Sequence, residues 1–281
     1  MQAIGIDIGG TKMLSVRYDT RTWQPLERVL HPTGEALTIP QLRALLRESI
    51  TALRTPTVRS IGIGVPGVVD GGKIITLPNL PQLQDVPLLA FLEQETGLPV
   101  ALANDASLFT LAEHHAAGGE GITLGLIIGT GVGVGLCVEG QLYHGAHGRA
   151  PEMGHIRVHR SGTATVEQLL AGPGLARFFA TEDMAAIEAE YTQHAEALTE
   201  EIYPRLLLLV EFLYTLVRAY DPHRIVIGGS AGLSFWQLFA EEIAQELRHR
   251  YPLPHPLPVL RWSQTTDAGA LGAAQYGARA L

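Results

Sequence analysis

Three glycine-rich turns, each directly after a short apolar segment, constrain the possible folds of this chain most strongly. They lie at residues 9–12, 129–133 and 228–232. Successive N–H groups in such turns can point at one spot and bind phosphate oxygens without any net positive charge on the protein. One turn alone is ordinary in a tight hairpin, where glycine supplies a positive φ. Three together, two with threonine and one with serine, predict phosphate binding.

The composition fits a reduced globular protein that binds anions at local sites. The chain has 281 residues, of which 46% are apolar and 17% charged, which excludes intrinsic disorder and gives enough length for two lobes. A formal net charge of −8 provides no general positive field for nucleic acid or anionic lipid. The single cysteine, Cys137, cannot form an internal disulfide, and the sequence has no signal-peptide pattern. We therefore predict a cytoplasmic protein without nucleic-acid or membrane partners.

The alternation of strand and helix patterns indicates an α/β fold. Strands are predicted at residues 3–8, 14–18, 26–30, 60–65, 99–103, 122–128, 132–138, 224–227 and 259–262. Helices are predicted at residues 42–53, 86–96, 104–117, 182–220, 233–248 and 268–280, with a new helix starting at Pro204. The first two glycine turns each join two apolar strands, so the opening hairpin recurs as a weak internal duplication.

Two common nucleotide-binding motifs do not fit the sequence. Residues 67–73 have the glycines and lysine of a Walker A loop, but Ile74 stands where a serine or threonine must hold magnesium. The glycines at 129, 131, 133 and 135 recur with period two, and a strand follows them where a dinucleotide site requires a helix.

A serine hydrolase is an alternative of a different class that the third turn raises. Ser230 lies in a G-x-S-x-G pattern between a predicted strand and a predicted helix, as in a nucleophile elbow. An acid and a histidine must follow it, and the chain offers only pairs such as Glu241 with His249 or His255. No His-Gly-Gly oxyanion segment precedes Ser230, so the hydrolase hypothesis is disfavoured.

A carboxylate inside an apolar strand requires a reason. Asp7 lies in the first predicted strand, immediately before the first glycine turn. It either caps the N–H groups of that turn or faces phosphate-bound Mg²⁺, directly or through water, since this cation prefers oxygen ligands. We favour the metal.

Asn104 and Asp105 follow one predicted strand and open a predicted helix. An asparagine N-cap with an aspartate in the first turn is an ordinary helix start. If the phosphate turns face this end of the strand, Asp105 is placed to take a hydroxyl proton as that oxygen attacks phosphorus. Asn104 would then hold a neighbouring hydroxyl.

A carboxylate and an imidazole lie three residues apart at Glu152 and His155. Such a pair is either a chance feature of an exposed loop or a site that shares hydrogen bonds with adjacent sugar hydroxyls. His114 and His115 are adjacent on a predicted helix and form no zinc motif, which is typical of surface residues.

Taken in order and spacing, the segments 6–12, 104–105, 129–133, 152–155 and 227–230 resemble the ROK family of sugar kinases and sugar-responsive repressors, over nearly the whole chain. The resemblance implies an α/β fold of the two-lobed actin-like ATPase (ribonuclease H-like) type with an interlobe cleft. Residues 1–103 and 268–281 would form the N-terminal lobe, and residues 104–267 the C-terminal lobe.

The resemblance also implies roles for particular residues. Asp105 resembles the catalytic base, and the sugar-binding residues would be Asn79, Asn104, Asp105, Glu152, His155 and Glu167. The ATP-binding residues would be Gly9, Gly10, Thr11, Lys12, Gly129, Thr130, Gly131, Gly133, Gly228, Gly229 and Ser230.

One departure from the family pattern concerns zinc. Many family members carry a cysteine-rich zinc loop after the Glu-x-Gly-His segment, whereas residues 159–165 contain no cysteine. This departure predicts that zinc is absent here, although that metal helps orient the histidine in other members.

The sequence thus predicts an ATP- and Mg²⁺-dependent kinase that phosphorylates a hexose or N-acetylhexosamine, at the 6-hydroxyl by expectation. The competing hypothesis is a non-catalytic sugar sensor of the same fold. The first strand begins at Ala3, which leaves no room for the N-terminal helix-turn-helix of the family's repressors. Homodimer formation is left open.

Overall fold

The computed structural model describes residues 1–34, 36–77, 84, 86–158, 164–171, 189, 195–250 and 256–280, without the side chains of residues 195–202 and 234–237. The chain divides into two compact units. The first contains residues 1–120, 135–151 and 265–281, and the second contains residues 121–134 and 152–264.

The first half of the chain forms seven strands and three helices among the described residues. In order these are β1 (Gln2–Ile8), β2 (Lys12–Asp19), β3 (Pro25–Pro32), α1 (Ile39–Leu53), β4 (Val58–Val65), β5 (Val68–Asp70), β6 (Lys73–Thr76), α2 (Leu88–Thr96), β7 (Val100–Asn104) and α3 (Asp105–Ala116). Five of the strands form a sheet in the order β3-β2-β1-β4-β7. Within it β1, β4 and β7 run parallel, and β2 and β3 are antiparallel additions.

The second half repeats this plan. Its elements are β8 (Ile122–Ile128), β9 (Val132–Val138), β10 (Gln141–Leu142), a 3-10 turn (Met153–His155), α4 (Val166–Leu170), α5 (Ala195–Tyr220), β11 (Arg224–Gly228), α6 (Ser230–Arg250), β12 (Val259–Trp262) and α7 (Ala268–Ala278). The second sheet has the order β10-β9-β8-β11-β12, with β8, β11 and β12 parallel. The predicted duplication of a strand, a glycine turn and a strand is therefore seen at the start of both sheets.

Helix α7 packs on the first sheet by direct backbone contact. A Cβ atom on Gly62 in β4 would lie 1.7 Å from the carbonyl oxygen of Ala273, and one on Gly5 in β1 would lie 1.8 Å from that of Ala270. On its other side the helix meets α3, where a Cβ on Gly272 would lie 1.8 Å from the carbonyl oxygen of Leu108. These distances are far below van der Waals contact, so only glycine fits at these positions.

The same contact explains why α3 belongs to the first unit, although the predicted C-terminal lobe began at residue 104. The helix packs on α7, and α7 packs on the first sheet. The division into functional lobes at residues 103 and 267 stays a prediction.

Two local expectations are wrong. Pro204 does not start a helix but lies inside α5. A proline costs a helix interior about 3 kcal/mol, and the stripe of buried residues after it, which includes Leu206, Val210 and Leu213, offsets that cost. His114 is fully buried and not a surface residue, because α3 lies between other elements along most of its length.

Strands β5 and β6 were not predicted. They are short, and the two glycines that join them, Gly71 and Gly72, both have positive φ as a two-residue hairpin requires. No helix in the described part of the chain is long and apolar enough to cross a membrane.

The backbone contact of α7 yields a stability prediction. Gly62→Ala places a methyl group against the Ala273 carbonyl, so the strand or the helix must move, and we expect the free energy of unfolding in urea to fall by about 3 kcal/mol. Gly129→Ala is the matched control, because no atom lies within 4 Å of the added methyl there. Equal stability of the two variants would contradict this packing of α7 on the sheet.

Candidate active site

The two candidate site carboxylates of the first unit, Asp7 and Asp105, lie at the same edge of its sheet. Asp7 is opposite Gly64 in β4, and Gly64 is opposite Ala103 in β7, immediately before Asn104. All three strands are parallel, so their carboxyl ends meet at this edge, where ligands bind in open α/β sheets. Because β4 separates β1 from β7, the backbones of Asp7 and Ala103 are about 10 Å apart, and Asp105 lies two residues beyond Ala103.

The Asp7 carboxylate occupies a cradle formed by the first turn of α7. A Cβ on Gly269 would lie 2.5 Å from Asp7 Oδ2, so glycine leaves the space that the carboxylate fills. Burial raises the pKa of Asp7 from 3.8 to about 6, the Lys12 ammonium lowers it in part, and the Asp267 charge adds to the increase. A cation bound beside such a carboxylate would stabilise its charged form, and together with phosphate oxygens the carboxylate would offer the oxygen ligands that Mg²⁺ prefers.

The start of α7 is held by Asp267 and Arg28, which were not predicted as functional residues. Asp267 lies at the N-cap with a left-handed backbone, φ 54°, and its Oδ2 accepts a hydrogen bond of 2.7 Å from Arg28 Nε in β3. This ion pair connects the start of α7 to β3, the outermost strand of the first sheet. An aspartate directly before a helix of small residues is the signal that could have indicated this role.

Asn104 and Asp105 begin α3 as predicted. The Asn104 side chain accepts the Ser107 N–H at 3.0 Å as the N-cap, and its Nδ2 donates to the Gly67 carbonyl at 3.1 Å. Asn104 therefore ties the start of the helix to the turn after β4. Asp105 is partly buried, and its Oδ1 accepts the Ala106 N–H at 2.8 Å. The helix start holds this carboxylate at the edge of the sheet beside Asn104.

The first glycine turn is closed and braced. The Gly9 N–H bonds to the Lys12 carbonyl at 2.9 Å, and the Thr33 hydroxyl donates to the Gly9 carbonyl at 2.7 Å. The Thr33 N–H also bonds to the Thr11 carbonyl at 2.9 Å. Gly10 is partly buried, whereas Thr11 and Lys12 are exposed. Their side chains are open to a ligand, while the turn itself is held by Thr33, directly after β3.

The second and third glycine turns adjoin each other in the second unit. Gly228 is opposite Ile127 in the parallel pair β8 and β11, and a Cβ on Gly229 would lie 2.3 Å from the Ile128 carbonyl oxygen. Gly229 has a φ of 85°. The second turn, which contains Gly129, Thr130, Gly131 and Gly133, starts directly after Ile128 and is closed by a 2.9 Å bond from the Gly129 N–H to the Gly131 carbonyl.

The position of Ser230 argues against the hydrolase hypothesis. Ser230 is the first residue of α6, and His249 is next to its last residue. The helix is kinked at Phe239, and with a rise of about 1.5 Å per residue each part on either side of the kink is roughly 14 Å long. Ser230 and His249 therefore lie at opposite ends of α6, which argues against His249 as the base of Ser230. His255 lies outside the described residues.

The predicted sugar-binding pair is in contact in the second unit. Glu152 and His155 bracket the 3-10 turn, and Glu152 Oε2 lies 3.5 Å from His155 Nε2. Burial raises the pKa of Glu152, the His155 ring lowers it, and the nearby Glu167 charge raises it again. Both side chains are accessible, 41% exposed for Glu152 and 55% for His155. The pair can therefore meet a ligand directly.

Glu167 joins these residues to the second glycine turn. It lies in the first turn of α4, and its Oε2 accepts the Val132 N–H at 2.9 Å. A Cβ on Gly131 would lie 2.6 Å from the same oxygen, so the second glycine of the turn leaves room for the carboxylate. Sequence reasoning assigned Glu167 to the sugar alone and missed this bond.

Several predictions lie on segments outside the described residues. They are the sugar contact of Asn79, most of the shortened loop (residues 159–163), residues 182–188 and 190–194 of the predicted helix, and His255. Among the residues that are described, no group of three or more His, Cys, Asp or Glu side chains could hold a metal ion. The predicted absence of zinc stays a prediction.

Comparison with known proteins gives the family. The family model of the ROK family matches residues 3–279. N-acetylmannosamine kinase of Citrobacter koseri is 30% identical to this chain, and the match covers 98% of both sequences. The chain therefore belongs to the ROK family.

Solved structures agree with this assignment. The ROK hexokinase of Thermus thermophilus is 30% identical, with a TM-score of 0.83 and coverage of 99% of this chain and 98% of that one. A ROK glucokinase of Streptomyces griseus, solved with glucose and AMPPNP, is 24% identical and shows the same fold, with a TM-score of 0.81 over 99% of this chain and 100% of that one. The predicted α/β fold of the actin-like ATPase type is confirmed.

The raised pKa of Asp7 has a consequence for stability. A carboxylate whose pKa is higher in the folded protein favours folding while it is protonated, and this contribution is lost as pH rises from about 4 through about 6. In metal-free buffer we expect Asp7→Asn to gain about 2 to 3 kcal/mol of unfolding free energy relative to wild type between pH 4 and pH 7. Denaturant unfolding at several pH values measures the difference.

The control for this experiment is Asp221→Asn. Asp221 is exposed and has a φ of 44°, a conformation that asparagine tolerates. Its stability relative to wild type should not change over the same range. A difference between wild type and Asp7→Asn that is also independent of pH would show that burial does not perturb Asp7.

Proposed function

We propose that this chain transfers the γ-phosphoryl group of ATP to a hydroxyl of a hexose or N-acetylhexosamine, with the 6-hydroxyl as acceptor. The observation that carries the proposal is the pair of carboxylates at one edge of the first sheet. Asp7 lies beside a glycine turn, and Asp105 opens the helix that follows β7, two strands away in the same sheet. One can face the metal on the phosphates and the other the attacking hydroxyl.

The broader class of enzyme rests on the relatives. An N-acetylmannosamine kinase and a hexokinase are each 30% identical to this chain over nearly its whole length. They confirm a sugar phosphotransferase. Because the two act on different sugars by name, the acceptor of this chain is proposed only as a class.

Asp105 is proposed as the general base. Its carboxylate takes the proton of the sugar hydroxyl while that oxygen forms a bond to the γ-phosphorus. The bond from phosphorus to the bridging oxygen breaks, and ADP leaves with that electron pair. Asn104 holds Asp105 in position through its bonds to Ser107 and Gly67, and its second amide hydrogen is available for a neighbouring hydroxyl.

The glycine turns are proposed to bind the nucleotide. The turn with Gly9, Gly10, Thr11 and Lys12 and the turn with Gly129, Thr130, Gly131 and Gly133 would offer backbone N–H groups to the phosphates, and the turn with Gly228, Gly229 and Ser230 would lie beside the adenosine. Asp7 fits a magnesium ion because its carboxylate offers oxygen ligands and its charge is disfavoured by burial and only partly offset by Lys12. When bound, that ion neutralises charge on the phosphates.

The sugar is proposed to bind at Glu152, His155 and Glu167, together with Asn79 and Asn104. Carboxylates, an imidazole and amides supply both donors and acceptors for adjacent hydroxyls, and an acceptor without a hydroxyl leaves them unpaired. Such a site selects strongly among sugars. The proposed setting is the cytoplasm, where ATP and free sugars are available.

A coupled assay of ADP release tests the function. The panel is glucose, mannose, fructose, N-acetylglucosamine and N-acetylmannosamine, each with ATP and Mg²⁺. We expect at least one sugar to be phosphorylated at a rate well above ATP hydrolysis without sugar. Stabilisation of the protein by a sugar with no turnover would instead support the non-catalytic sensor.

Asp105→Asn tests the base directly. We expect kcat to fall by about 100-fold or more, because asparagine cannot accept the proton. KM for the sugar should change much less, since asparagine keeps the size of the side chain and one of its two acceptor oxygens. Asp221→Asn, on an exposed turn, is the matched control and should retain wild-type activity. Equal rates for wild type and Asp105→Asn would remove Asp105 from its proposed role.

A further inference from the structure

Both proposed sugar-binding segments contact the second glycine turn at one residue, Val132. The Val132 N–H bonds to Glu167 Oε2 at 2.9 Å. The Val132 carbonyl lies directly on the 3-10 turn, because a Cβ on Gly154 would be 2.1 Å from its oxygen. Val132 itself is buried, with 7% of its surface exposed. The N–H of this residue is thus held by Glu167, and its carbonyl packs against Gly154.

These contacts limit which N–H groups of the second glycine turn can bind a phosphate. The Gly129 N–H is used to close the turn, and the Val132 N–H is used by Glu167. The amides between them, at Thr130 and Gly131, lie in the part of the turn whose orientation these two bonds set. Thr130 is exposed and Gly131 is partly exposed, so a ligand can reach them.

The group that accepts the Val132 N–H is a carboxylate, which has two opposite effects on phosphate binding. A carboxylate next to a phosphate site repels the phosphate, so its charge alone would weaken nucleotide binding. A hydrogen bond from a backbone N–H to a carboxylate is, however, among the stronger ones in proteins and fixes the peptide plane. The structure therefore sets a structural benefit of Glu167 against an electrostatic cost, and substitutions can separate the two.

We propose that Glu167 is a positioning residue for the nucleotide, which holds the second glycine turn in the geometry that binds phosphate, in addition to any contact with sugar. The proposal rests on the assignment of this turn to ATP. It predicts that loss of the Glu167 acceptor weakens nucleotide binding even when no sugar is present. A residue that serves only as a sugar ligand has no such effect.

Two variants of similar size test the proposal. Glu167→Gln keeps an oxygen that can accept the Val132 N–H and removes the charge, whereas Glu167→Met keeps the length and provides no comparable acceptor. Binding of AMPPNP with Mg²⁺ to the full chain is measured by calorimetry without sugar. We expect the Kd of Glu167→Met to rise about 10-fold or more, and that of Glu167→Gln to stay within about 3-fold of wild type.

Asp221→Asn is the control for loss of a carboxylate. Asp221 is exposed and lies outside the residues proposed to bind nucleotide or sugar. We expect an unchanged Kd for AMPPNP. An unchanged Kd in Glu167→Met, or tighter binding in both Glu167 variants, would overturn the proposal, because charge and not position would then dominate.

A second variant and a second measurement keep the test decisive. Should Glu167→Met not fold, Glu167→Ala removes the acceptor with a smaller side chain, and thermal unfolding of each variant shows whether a change in Kd reflects global instability. The assay needs neither sugar nor turnover. If no sugar on the panel is phosphorylated, the proposed function fails while the nucleotide comparison still supports or overturns the role of Glu167.

Discussion

The direct backbone contact between α7 and the first sheet is the constraint on which the rest of the first unit depends. Glycines in β1 and β4 let the carbonyl oxygens of the helix approach the strand backbone directly, and Gly272 does the same against α3. The helix therefore fixes two things at once. Its first turn leaves the space for the Asp7 carboxylate, and its far side holds the helix that begins with Asp105. One contact sets the positions of both proposed functional carboxylates.

Burial of the Asp7 carboxylate lowers the stability of the fold and provides a candidate metal ligand. Asp7 has a pKa of about 6 because burial disfavours its charge, and the Lys12 ammonium only partly compensates. Asp267 adds a second negative charge nearby, which Arg28 neutralises through a 2.7 Å ion pair. A chain selected only for stability would place a neutral residue at position 7. A carboxylate that is costly when alone and satisfied by a cation is the expected property of a metal ligand.

The sequence predicted what is local and missed what is distant. Strand and helix patterns, glycine turns and the Asn104 cap depend on neighbouring residues, so β8, β9 and β12 were predicted with their observed ends. The predictions of a helix start at Pro204 and of a surface position for His114 were wrong because tertiary packing overrode local preference. The bond between Glu167 and Val132 joins residues 35 apart in sequence and leaves no pattern. The glycines at 71 and 72 were weighed as a phosphate motif, although their positive φ serves a hairpin.

The first and second glycine turns are held in place by different groups, a hydrogen-bond donor at the first and an acceptor at the second. In the first turn an external hydroxyl, that of Thr33, donates to the Gly9 carbonyl, and the brace adds no charge. In the second turn an external carboxylate, that of Glu167, accepts the Val132 N–H and adds a negative charge beside a proposed phosphate site. A neutral acceptor would brace the turn without that cost. The carboxylate is explained if its other oxygen serves a second ligand, and the proximity of Glu152 and His155 makes a sugar hydroxyl the fitting one.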